Sequence, residues 1–547
     1  MPNQQPPEDP STHNMTFQPN NTFTTHPDTN NSDSVYQSLI PLSSQEQAPE
    51  QTIVTTKTIH AVEQLPHFVK AYDCLPPHIQ SSTLFDLLQR SNKSTLQYVN
   101  SLVMPILKRD FLVSLPYELK IQVIGYLDVQ SLCIASSVSK TWQLIIDGDK
   151  NTWYRLLQND GFEIPATSLS AKQLKSHYRH QYTLKMNWKK GQFKRVEFEG
   201  HSNHIVTCLQ FDQEKIVSGA TDAMINIYDT QDPTSPYVQL QGHAGGVWAL
   251  QYLNNTLVSG SIDRTVRVWN IKKRKCTHIF KGHTSTVRCL QIVEPVMIQG
   301  RLQPSQPLIV TGSRDFSIRV WTLPDVEEEQ EEPFVAEGSS PWFKYLLIGH
   351  SHSVRSIAAH GNTLVSGSYD NTVAVWDLST GRMVHRMEGH TSNVYSVVID
   401  PIRQQCMSGS MDQVVYVWDL VTGECLHKLD GHSVLVGLLG LTPNHLVSAS
   451  ADRTLRVWDP TTGVCQHVLA GKHGHEGAIT CFKHDEEKVI SGSEGGLKMW
   501  DIKTGRYLYD LVTDVKGVWW VTFDKSKCVV AIHNRERTSF QLLDFDV

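Results

Sequence analysis

The chain has 547 residues, of which 40% are hydrophobic and 19% charged, and its formal net charge at pH 7 is −6. This length predicts several domains rather than one core, and since no stretch reaches about 18 consecutive apolar residues, the sequence predicts no membrane span. The slightly acidic balance predicts no general attraction to nucleic acid.

The beginning of the chain and the spacing of its cysteines indicate in which cellular compartment the protein is expected. The start, MPNQQPPEDP, has no basic region followed by an apolar one, so we expect neither a secretory nor a transit peptide. The ten cysteines include no CxxC pair, which argues against a disulfide framework and against a zinc ribbon. We therefore expect a protein of the nucleus and cytoplasm with reduced cysteines.

Two segments precede the larger modules. Residues 1–65 are rich in Pro, Asn, Gln, Ser and Thr and contain no Lys or Arg before Lys57, which is typical of a disordered arm. Residues 66–110 are predicted to be helical, because apolar residues recur there at helical spacing. These residues are Leu84, Leu87, Leu88, Leu96, Val99, Leu102 and Val103. Their stripes lie outside both larger modules, and we expect them to serve as a dimerisation element.

A module of short helices is predicted in residues 111–156. Pro116 stands at the start of one helix and Asp128 can cap the next. The module matches most core positions of LPxELxxxIxxYLDxxSLxxxSxVxKxW, and in this it resembles the F-box. Helices this short cannot bury their own apolar stripe, so we predict that the stripe contacts a small Skp-type adaptor. The predicted contact residues are Leu115, Pro116, Leu119, Ile124 and Leu127.

Residues 157–193 are basic and are predicted to form a helical linker, after which residues 194–547 are periodic. Gly-His pairs recur mostly every 40 to 43 residues, each followed by a VSGS-x-D turn and a VxVWD strand. This period is the sequence form of the WD-repeat β-propeller. We predict that the histidine, the turn aspartate and the strand tryptophan of each repeat form a structural hydrogen-bonded chain rather than a metal site. The histidines are His201, His243, His283, His350, His390, His432 and His475.

Eight blades are predicted, although only seven carry the Gly-His mark. The residues after Trp500 suffice for an eighth blade, and RVEFEG before His201 is predicted to supply its outer strand and close the ring. Blade seven has Glu494 where an aspartate is expected. Two insertions interrupt the period: residues 292–307 are predicted to lengthen a hairpin of blade three, and residues 324–341 to separate blades three and four.

Unusual residues at equivalent positions of the repeat are the candidate binding residues. The position five residues after the Gly-His histidine begins an inner strand, and the turn around the aspartate lies on the same rim of the channel. Blades two to five are thus predicted to gather arginines and aromatic side chains around one mouth of the channel. These residues are Trp248, Arg264, Arg288, Arg314, Arg355, Tyr369 and Tyr395. Arginine forks suit bidentate capture of a phosphate, and the rings suit an apolar or proline flank.

An F-box followed by eight such repeats resembles the phosphodegron-reading F-box/WD-repeat subunits of SCF ubiquitin ligases, of the cell-division-control type. GHTSTVRC, TGSRD, SGSYDNTVAVWD and the terminal LLDFDV carry the resemblance. It implies that Arg288, Arg314 and Arg355 hold a phosphothreonine and that Trp248 lines the pocket for the proline after it. It also implies residues near a second phosphate or at the rim, namely Arg264, Ser285, Thr286 and Arg535. Ile262 and Val521 depart from the family pattern, which leaves open whether a second phosphate is needed.

The favoured function is that of a non-enzymatic receptor that bridges an SCF adaptor, and through it a cullin, to phosphorylated substrates. One alternative is the sulfur-metabolism type of F-box/WD-repeat protein, which would not need the arginine trio, and another is a propeller scaffold without a ligase role. No G-x-S-x-G, GxxxxGK[ST] or HExxH motif occurs, so we predict no enzyme, no cofactor and no metal. The predicted fold class is multidomain, with a disordered arm, helical modules and an all-β eight-bladed propeller.

Overall fold

The structure, a computed structural model, describes residues 56–107, 110–165, 169–327, 332–336, 340–534 and 537–547. The chain divides into two compact units, Met1–Asp110 and Phe111–Val547. None of the helices within these described ranges is long and apolar enough to cross a membrane.

The first unit contains three helices, α1 (Thr56–Asp73), α2 (Pro77–Gln89) and α3 (Lys93–Leu107). The last ten residues of the predicted disordered arm, 56–65, belong to helix α1, and the rest of that arm, up to residue 55, lies outside the described residues. Pro66 stands inside α1 and obscured the helical spacing of the apolar residues on either side of it. Helix α2 buries none of its residues, and Leu84, Phe85 and Leu87 are each about half exposed.

Five short helices and one long helix follow in the described part of the second unit. They are α4 (Phe111–Ser114), α5 (Tyr117–Gly125), α6 (Val129–Ser136), α7 (Lys140–Gly148), α8 (Lys150–Asn159) and α9 (Ala171–Lys190). Helix α6 begins as predicted, because the Asp128 carboxylate accepts a hydrogen bond from the Ser131 N–H at 3.2 Å. Ile124, Leu132 and Trp153 lie at the centre of a shared apolar core. The predicted linker is therefore the end of α8, a connection and the single long helix α9.

Helix α9 fixes this helical module to the propeller. The Trp188 ring stacks on Phe545 with centroids 3.5 Å apart, and its Nε1–H donates to the Lys525 carbonyl at 2.7 Å. Lys185 forms an ion pair with Glu487 at 2.7 Å. Both Glu487 and Lys525 belong to hairpins that join the first and second strands of their blades, so the module lies at that face of the propeller.

Strand β1 (Lys194–Glu199) opens the propeller, and the first four blades follow it. Blade one consists of β2 (Val206–Phe211), β3 (Lys215–Ala220), β4 (Ile225–Asp229) and β5 (Val238–Leu240). Blade two consists of β6 (Val247–Leu253), β7 (Thr256–Ser261), β8 (Val266–Asn270) and β9 (Lys275–Phe280). Blade three and its insertions contain β10 (Val287–Val293), β11 (Val296–Ile298), β12 (Arg301–Gln303), β13 (Leu308–Ser313), β14 (Ile318–Thr322), β15 (Phe334–Ala336) and β16 (Phe343–Leu347). Blade four consists of β17 (Val354–His360), β18 (Thr363–Ser368), β19 (Val373–Asp377) and β20 (Arg382–Met387).

The remaining four blades complete the ring. Blade five consists of β21 (Val394–Asp400), β22 (Gln405–Ser410), β23 (Val415–Asp419) and β24 (Cys425–Leu429). Blade six consists of β25 (Val436–Leu441), β26 (Leu446–Ser450), β27 (Leu455–Trp458) and β28 (Cys465–Leu469). Blade seven consists of β29 (Cys481–His484), β30 (Lys488–Ser493), β31 (Gly495–Asp501) and β32 (Tyr507–Val515). Blade eight consists of β33 (Gly517–Phe523), β34 (Lys527–His533), β35 (Thr538–Asp544) and β1.

Eight blades and their predicted closure are confirmed. Strand β1 pairs antiparallel with β35, from Lys194 opposite Asp544 to Glu199 opposite Ser539. The innermost strands contact one another in order around the ring, and β33 of blade eight contacts β2 of blade one. Because the first strand completes the last blade, the sheet edge that would remain open there is paired.

The predicted hydrogen-bonded chain is complete in blades two, four, five and six. Blade one has Tyr228 in place of the tryptophan, and in blade three the Trp321 Nε1 is buried without a partner among the described residues. In blade four His350 Nδ1 lies 2.9 Å from the Asp370 carboxylate, its Nε2 lies 2.8 Å from Ser366 Oγ, and Trp376 Nε1–H donates to the same hydroxyl at 2.8 Å. Blade seven departs as its sequence indicated. His475 bonds to a serine through Nε2, but its Nδ1 is buried without a partner in the described part of the chain.

The two insertions both belong to blade three. Residues 292–307 lengthen a hairpin as predicted, and β11 and β12 form its tip between β10 and β13. The prediction that residues 324–341 separate blades three and four was wrong, because this insertion lies between β14 and β16, which pair with each other. Its strand β15 joins β9 of blade two in parallel. The tryptophan at the end of the sequence repeat lies in the third strand of a blade, not in the fourth. An insertion after this tryptophan therefore comes before the fourth strand of the same blade.

Candidate functional site

β-Bulges aim the candidate side chains into one mouth of the channel. The pairing of the first and second strands shifts register around Trp248, Arg288, Arg355 and Tyr395, so each of these residues is the extra residue of its strand. A bulge leaves its extra residue out of the ladder and turns the side chain away from the sheet. The same device recurs in blade one, where the shift falls at Thr207, one residue later than the predicted position.

The turn between the second and third strands brings Arg314 to the same rim. The Arg314 N–H donates to the Thr286 carbonyl at 2.9 Å, and Ser313 Oγ donates to the Ser285 carbonyl at 3.1 Å. These two bonds tie the turn to the loop that leads into the bulge at Arg288. Thr286 and Ser285 thus position the arginines through their backbone carbonyls, which the sequence did not predict.

Arg288 is the centre of the cluster. Its guanidinium carbon lies 3.8 Å from the centroid of the Trp248 ring, a cation–π contact. Burial, together with the neighbouring guanidiniums of Arg355 and Arg314, lowers the pKa of Arg288 to about 10, while Tyr369 opposes this shift. The like charges therefore lie close enough to disfavour one another, although Arg288 still carries its proton at neutral pH.

No carboxylate among the described residues balances these charges. Within the described ranges none of Arg288, Arg314 and Arg355 forms an ion pair, and the Arg355 Nε is buried without a hydrogen-bond partner. A buried cationic donor without a partner is costly to the fold. The arrangement is therefore suited to an anionic ligand that offers several acceptor oxygens at once.

Aromatic side chains extend the site from blade four to blade five. The rings of Tyr369 and Tyr395 lie 5.1 Å apart, and burial together with Tyr369 raises the pKa of Tyr395. The Tyr395 hydroxyl consequently stays protonated near neutral pH and can donate a hydrogen bond. Two rings that the sequence did not single out continue outward from them, His352 and Phe316, with centroids 5.9 Å from Tyr369 and 5.5 Å from His352, respectively.

Two predicted site residues do not join this cluster. Arg264 is exposed in the turn of blade two with a φ of 70°, and no interaction in the described ranges connects it to the three arginines. Arg535 lies outside the described residues. The structure thus brings together Trp248 with the arginine trio and the two tyrosines, and leaves a role for Arg264 and Arg535 as a prediction.

The helical module presents an apolar surface, but not with all the predicted residues. Pro116 and Leu119 are exposed and Leu115 is half-buried, whereas Ile124 is only 1% exposed. Ile124 packs inside the core of the module, so it cannot contact an adaptor, and its place in the sequence stripe reflects that core. Leu127 is also packed against this core and is only partly exposed.

Several exposed apolar residues of the module were missed by the sequence analysis. They are Tyr117, Val123, Tyr126, Ile134, Val138 and Leu144, with exposed fractions from 40% for Val123 to 83% for Tyr126. Large apolar side chains exposed in this number on one small module are typical of a surface that binds a partner. Helical spacing gave no signal for it, because these residues come from three helices and from the turns between them.

Two family models match the chain. The F-box-like model matches residues 112–159. The model described as WD domain, G-beta repeat, matches seven segments, 191–229, 234–270, 274–322, 342–377, 381–419, 423–459 and 463–501. Both models match where the structure has the helical module and the blades, and the eighth blade has no match of its own.

Similar proteins agree with these matches. Cell division control protein 4 of Candida albicans is 40% identical over 502 residues, which cover 85% of this chain and 72% of that protein. The probable E3 ubiquitin ligase complex SCF subunit sconB of Arthroderma benhamiae is 24% identical over 501 residues, covering 66% of this chain and 73% of the relative. A crystal structure of the computationally designed Ika8 protein, 30% identical with a TM-score of 0.52, covers 63% of this chain and 98% of its own.

Proposed function

The chain belongs to the F-box/WD-repeat family of cell division control protein 4, and from that premise we propose that it is the phosphodegron-reading receptor subunit of an SCF-type E3 ubiquitin ligase. The F-box binds a Skp-type adaptor, and through it a cullin, while the propeller binds phosphorylated Thr-Pro segments of cell-cycle or other regulatory proteins. The chain itself is not catalytic, and it contributes by holding the substrate near the subunits that transfer ubiquitin.

The observation that carries this proposal is the uncompensated arginine cluster. Arg288, Arg314 and Arg355 meet at one mouth without a carboxylate to neutralise them in the described ranges. A phosphothreonine supplies close to two negative charges and three acceptor oxygens. Trp248 beside Arg288 offers an apolar platform for a following proline. The ligand therefore needs both the phosphate and the apolar flank.

The positions of the two binding surfaces support a bridging role. Arg314 lies in the turn between the second and third strands of its blade, whereas α9 joins the hairpins between first and second strands. In an antiparallel blade these two connections are at opposite ends of the second strand. The helical module, which carries the candidate adaptor surface, is thus attached to the propeller face opposite the candidate degron site, and this arrangement suits a substrate that binds while the adaptor is held.

Calorimetry on the full chain with its adaptor tests the proposal. We expect a peptide of the form Leu-Leu-pThr-Pro to bind and its unphosphorylated form to bind at least a hundredfold more weakly. Each charge-assisted hydrogen bond contributes about 1.5 to 3 kcal/mol, so Arg314→Ala should weaken binding roughly tenfold to a hundredfold. Arg314→Lys should recover little, because a point charge lacks the fork.

Arg453 provides the matched control for this experiment. It is an exposed arginine in the corresponding turn of blade six, with a φ of 71°, and it lies outside the cluster. Arg453→Ala should leave the affinity unchanged. Equal affinity for the phosphorylated and unphosphorylated peptides would contradict the proposal and favour a scaffold that does not recognise phosphate.

A further inference from the structure

Side-chain amides join the innermost strands of the blades that form the candidate site. Gln291 on β10 accepts the Ala359 N–H of β17 at 2.8 Å and donates to the Ala359 carbonyl at 3.0 Å. Its amide thus pairs with the backbone of the next blade in the way that a neighbouring strand does in a sheet. Gln251 on β6 accepts the Ile292 N–H of β10 at 2.7 Å. These bonds connect blade two to blade three and blade three to blade four.

The two strands that Gln291 joins each carry an arginine of the site. Gln291 stands three residues after Arg288 on β10, and Ala359 stands four residues after Arg355 on β17. A strand advances about 3.3 Å per residue, so the amide lies roughly 10 Å along the strands from the mouth where the guanidiniums meet. An effect of Gln291 on a phosphate at that mouth must therefore pass through the two strands.

The charges of the two arginines act against the contact between these strands. Arg288 and Arg355 come from opposite sides of the junction between blades three and four, and the Arg355 guanidinium contributes to lowering the pKa of Arg288. Like charges this close repel each other, and among the described residues neither arginine forms an ion pair that would hold it in place. The separation of the two guanidiniums is therefore set by the backbones of β10 and β17, which the Gln291 amide ties together.

Blade one has the same device at a junction without these arginines. Gln210 on β2 accepts the Tyr252 N–H of β6 at 2.8 Å and donates to the Tyr252 carbonyl at 3.1 Å. Both amides are partly buried and make two bonds of nearly equal length. Since β6 is also tied to β10 through Gln251, loss of the Gln210 bonds leaves the strands of the site connected. Gln210 is thus a matched control for the stability that such an amide gives to the ring.

We propose that Gln291 is a positioning residue of the phosphate site, which holds β10 and β17 at the separation at which Arg288 and Arg355 bind the same phosphate. This inference rests on the proposed function, since it takes the phosphate to be the ligand of the arginine cluster. Two guanidinium forks share the oxygens of one phosphate only when their separation matches its size. Gln291 acts through Arg355 and does not itself contact the ligand.

Calorimetry and thermal unfolding of the full chain with its adaptor test this role. Gln291→Leu removes both bonds and keeps a side chain of similar size. We expect it to bind the Leu-Leu-pThr-Pro peptide roughly tenfold more weakly, because a displaced Arg355 loses part of its charge-assisted hydrogen bonding. Gln210→Leu should lower the unfolding temperature by a similar amount and leave the affinity for the peptide unchanged.

A double-mutant cycle with Arg355 distinguishes positioning from general destabilisation. If Gln291 acts through Arg355, the two changes are coupled and their effects on binding do not add. Gln291→Leu should therefore weaken binding in the unmodified chain but have little further effect in Arg355→Ala. A merely structural role would weaken binding by the same factor in both backgrounds.

Gln291→Lys is a second variant that suits the fold. Lys483 stands at the equivalent position of blade seven, eight residues after its Gly-His histidine, and donates to the Phe523 carbonyl of blade eight at 2.9 Å. A lysine at 291 can thus keep the bond to the Ala359 carbonyl, and it should recover part of the affinity that Gln291→Leu loses. Binding by Gln291→Lys that is no tighter than by Gln291→Leu would contradict the proposed role.

The outcomes separate this role from the function on which it rests. If Gln291→Leu binds the phosphopeptide as the unmodified chain does, or loses the same factor when Arg355 is alanine, positioning by Gln291 is refuted while phosphate recognition stands. If the unmodified chain binds the phosphorylated and unphosphorylated peptides equally, the proposed function and the role of Gln291 are both refuted.

Discussion

The guanidinium carbon of Arg288 lies 3.8 Å from the centroid of the Trp248 ring. Arg288 is part of the candidate phosphate site and Trp248 is the candidate platform for the proline that follows the phosphate. Because one residue rests on the other, the two parts of the site are coupled, and a change to the tryptophan also disturbs an arginine.

Because of this coupling, replacing Trp248 should weaken peptide binding whether or not the peptide has a proline after its phosphothreonine. We expect Trp248→Ala to weaken binding of a phosphothreonine peptide roughly tenfold even when alanine replaces the proline, since Arg288 loses a contact worth about 0.5 to 2 kcal/mol. Trp248→Phe, which keeps a ring, should lose less. Calorimetry with both peptides measures this, and an effect confined to the Thr-Pro peptide would show that the two parts act separately.

Phosphopeptide binding should depend on pH through the ligand on the acid side and through Arg288 on the alkaline side. The second pKa of a phosphate is about 6, so binding should weaken as the pH falls from 7.5 to 5.5. Burial and the other guanidiniums lower the pKa of Arg288 to about 10, so binding should hold near pH 8 and weaken again only as the pH approaches that value. An affinity that does not change between pH 7.5 and 5.5 would argue against a phosphate dianion at the arginines.

Core and surface residues of the helical module should behave differently when they are changed. Leu119→Ser together with Tyr126→Ser should abolish co-purification with the adaptor and leave the thermal unfolding of the chain unchanged, because both side chains are exposed. Ile124→Ala should instead destabilise the module by about 2 to 5 kcal/mol, since it leaves a cavity in the core. Retained adaptor binding by the double variant, with normal folding, would show that the exposed patch has another partner.

The exposed stripes of α2 and α3 should mediate self-association. Leu87→Asp together with Leu102→Asp should convert a dimeric adaptor complex into a monomeric one, because both leucines are about half exposed and would place charges in an apolar interface. Light scattering measures the mass, and Ser81→Asp on α2 is a control for added charge. A monomer for the unmodified chain would refute dimerisation through these helices.

The histidine of blade seven should tolerate replacement better than that of blade four. His350→Ala would leave the Asp370 carboxylate, 3% exposed, without its imidazole, and breaking a buried pair costs about 3 to 5 kcal/mol. His475→Ala removes a single hydrogen bond to Ser491, worth about 1 kcal/mol. Thermal scans should therefore show a larger drop in unfolding temperature for His350→Ala than for His475→Ala. Equal drops would show that the bond from histidine to aspartate, which blade seven lacks, adds little stability.

His475 should also make the propeller sensitive to acid. Burial lowers the pKa of His475 from 6.5 to about 4. Between these values the unfolded chain binds the proton and the folded chain does not, so this contribution to stability is present above pH 6.5 and is lost as the pH falls toward 4. His475→Gln should reduce the drop in unfolding temperature between pH 6.5 and 4.5, and an unchanged drop would assign it to other groups.

The sequence by itself determined the architecture, because its signals are local and repeated. The Gly-His to Trp-Asp period fixes where each blade begins and ends, and the apolar alternation inside it fixes which strand faces are buried. Blade closure followed from the same logic, since a first strand without a partner in its own blade must pair with the last. The arginine trio was found in the same way, as residues that break a template at equivalent positions.

The tertiary structure alone decided which residues meet across blades and which apolar side chains stay exposed. The stacking of Arg288 on Trp248 and the row from Tyr395 to Phe316 join side chains of different repeats, and no local pattern reports such distances. Ile124 belongs to the same helical stripe as Leu119, yet one is buried and the other exposed. Periodicity gives the direction of a side chain on its own element, whereas burial depends on what packs against that element.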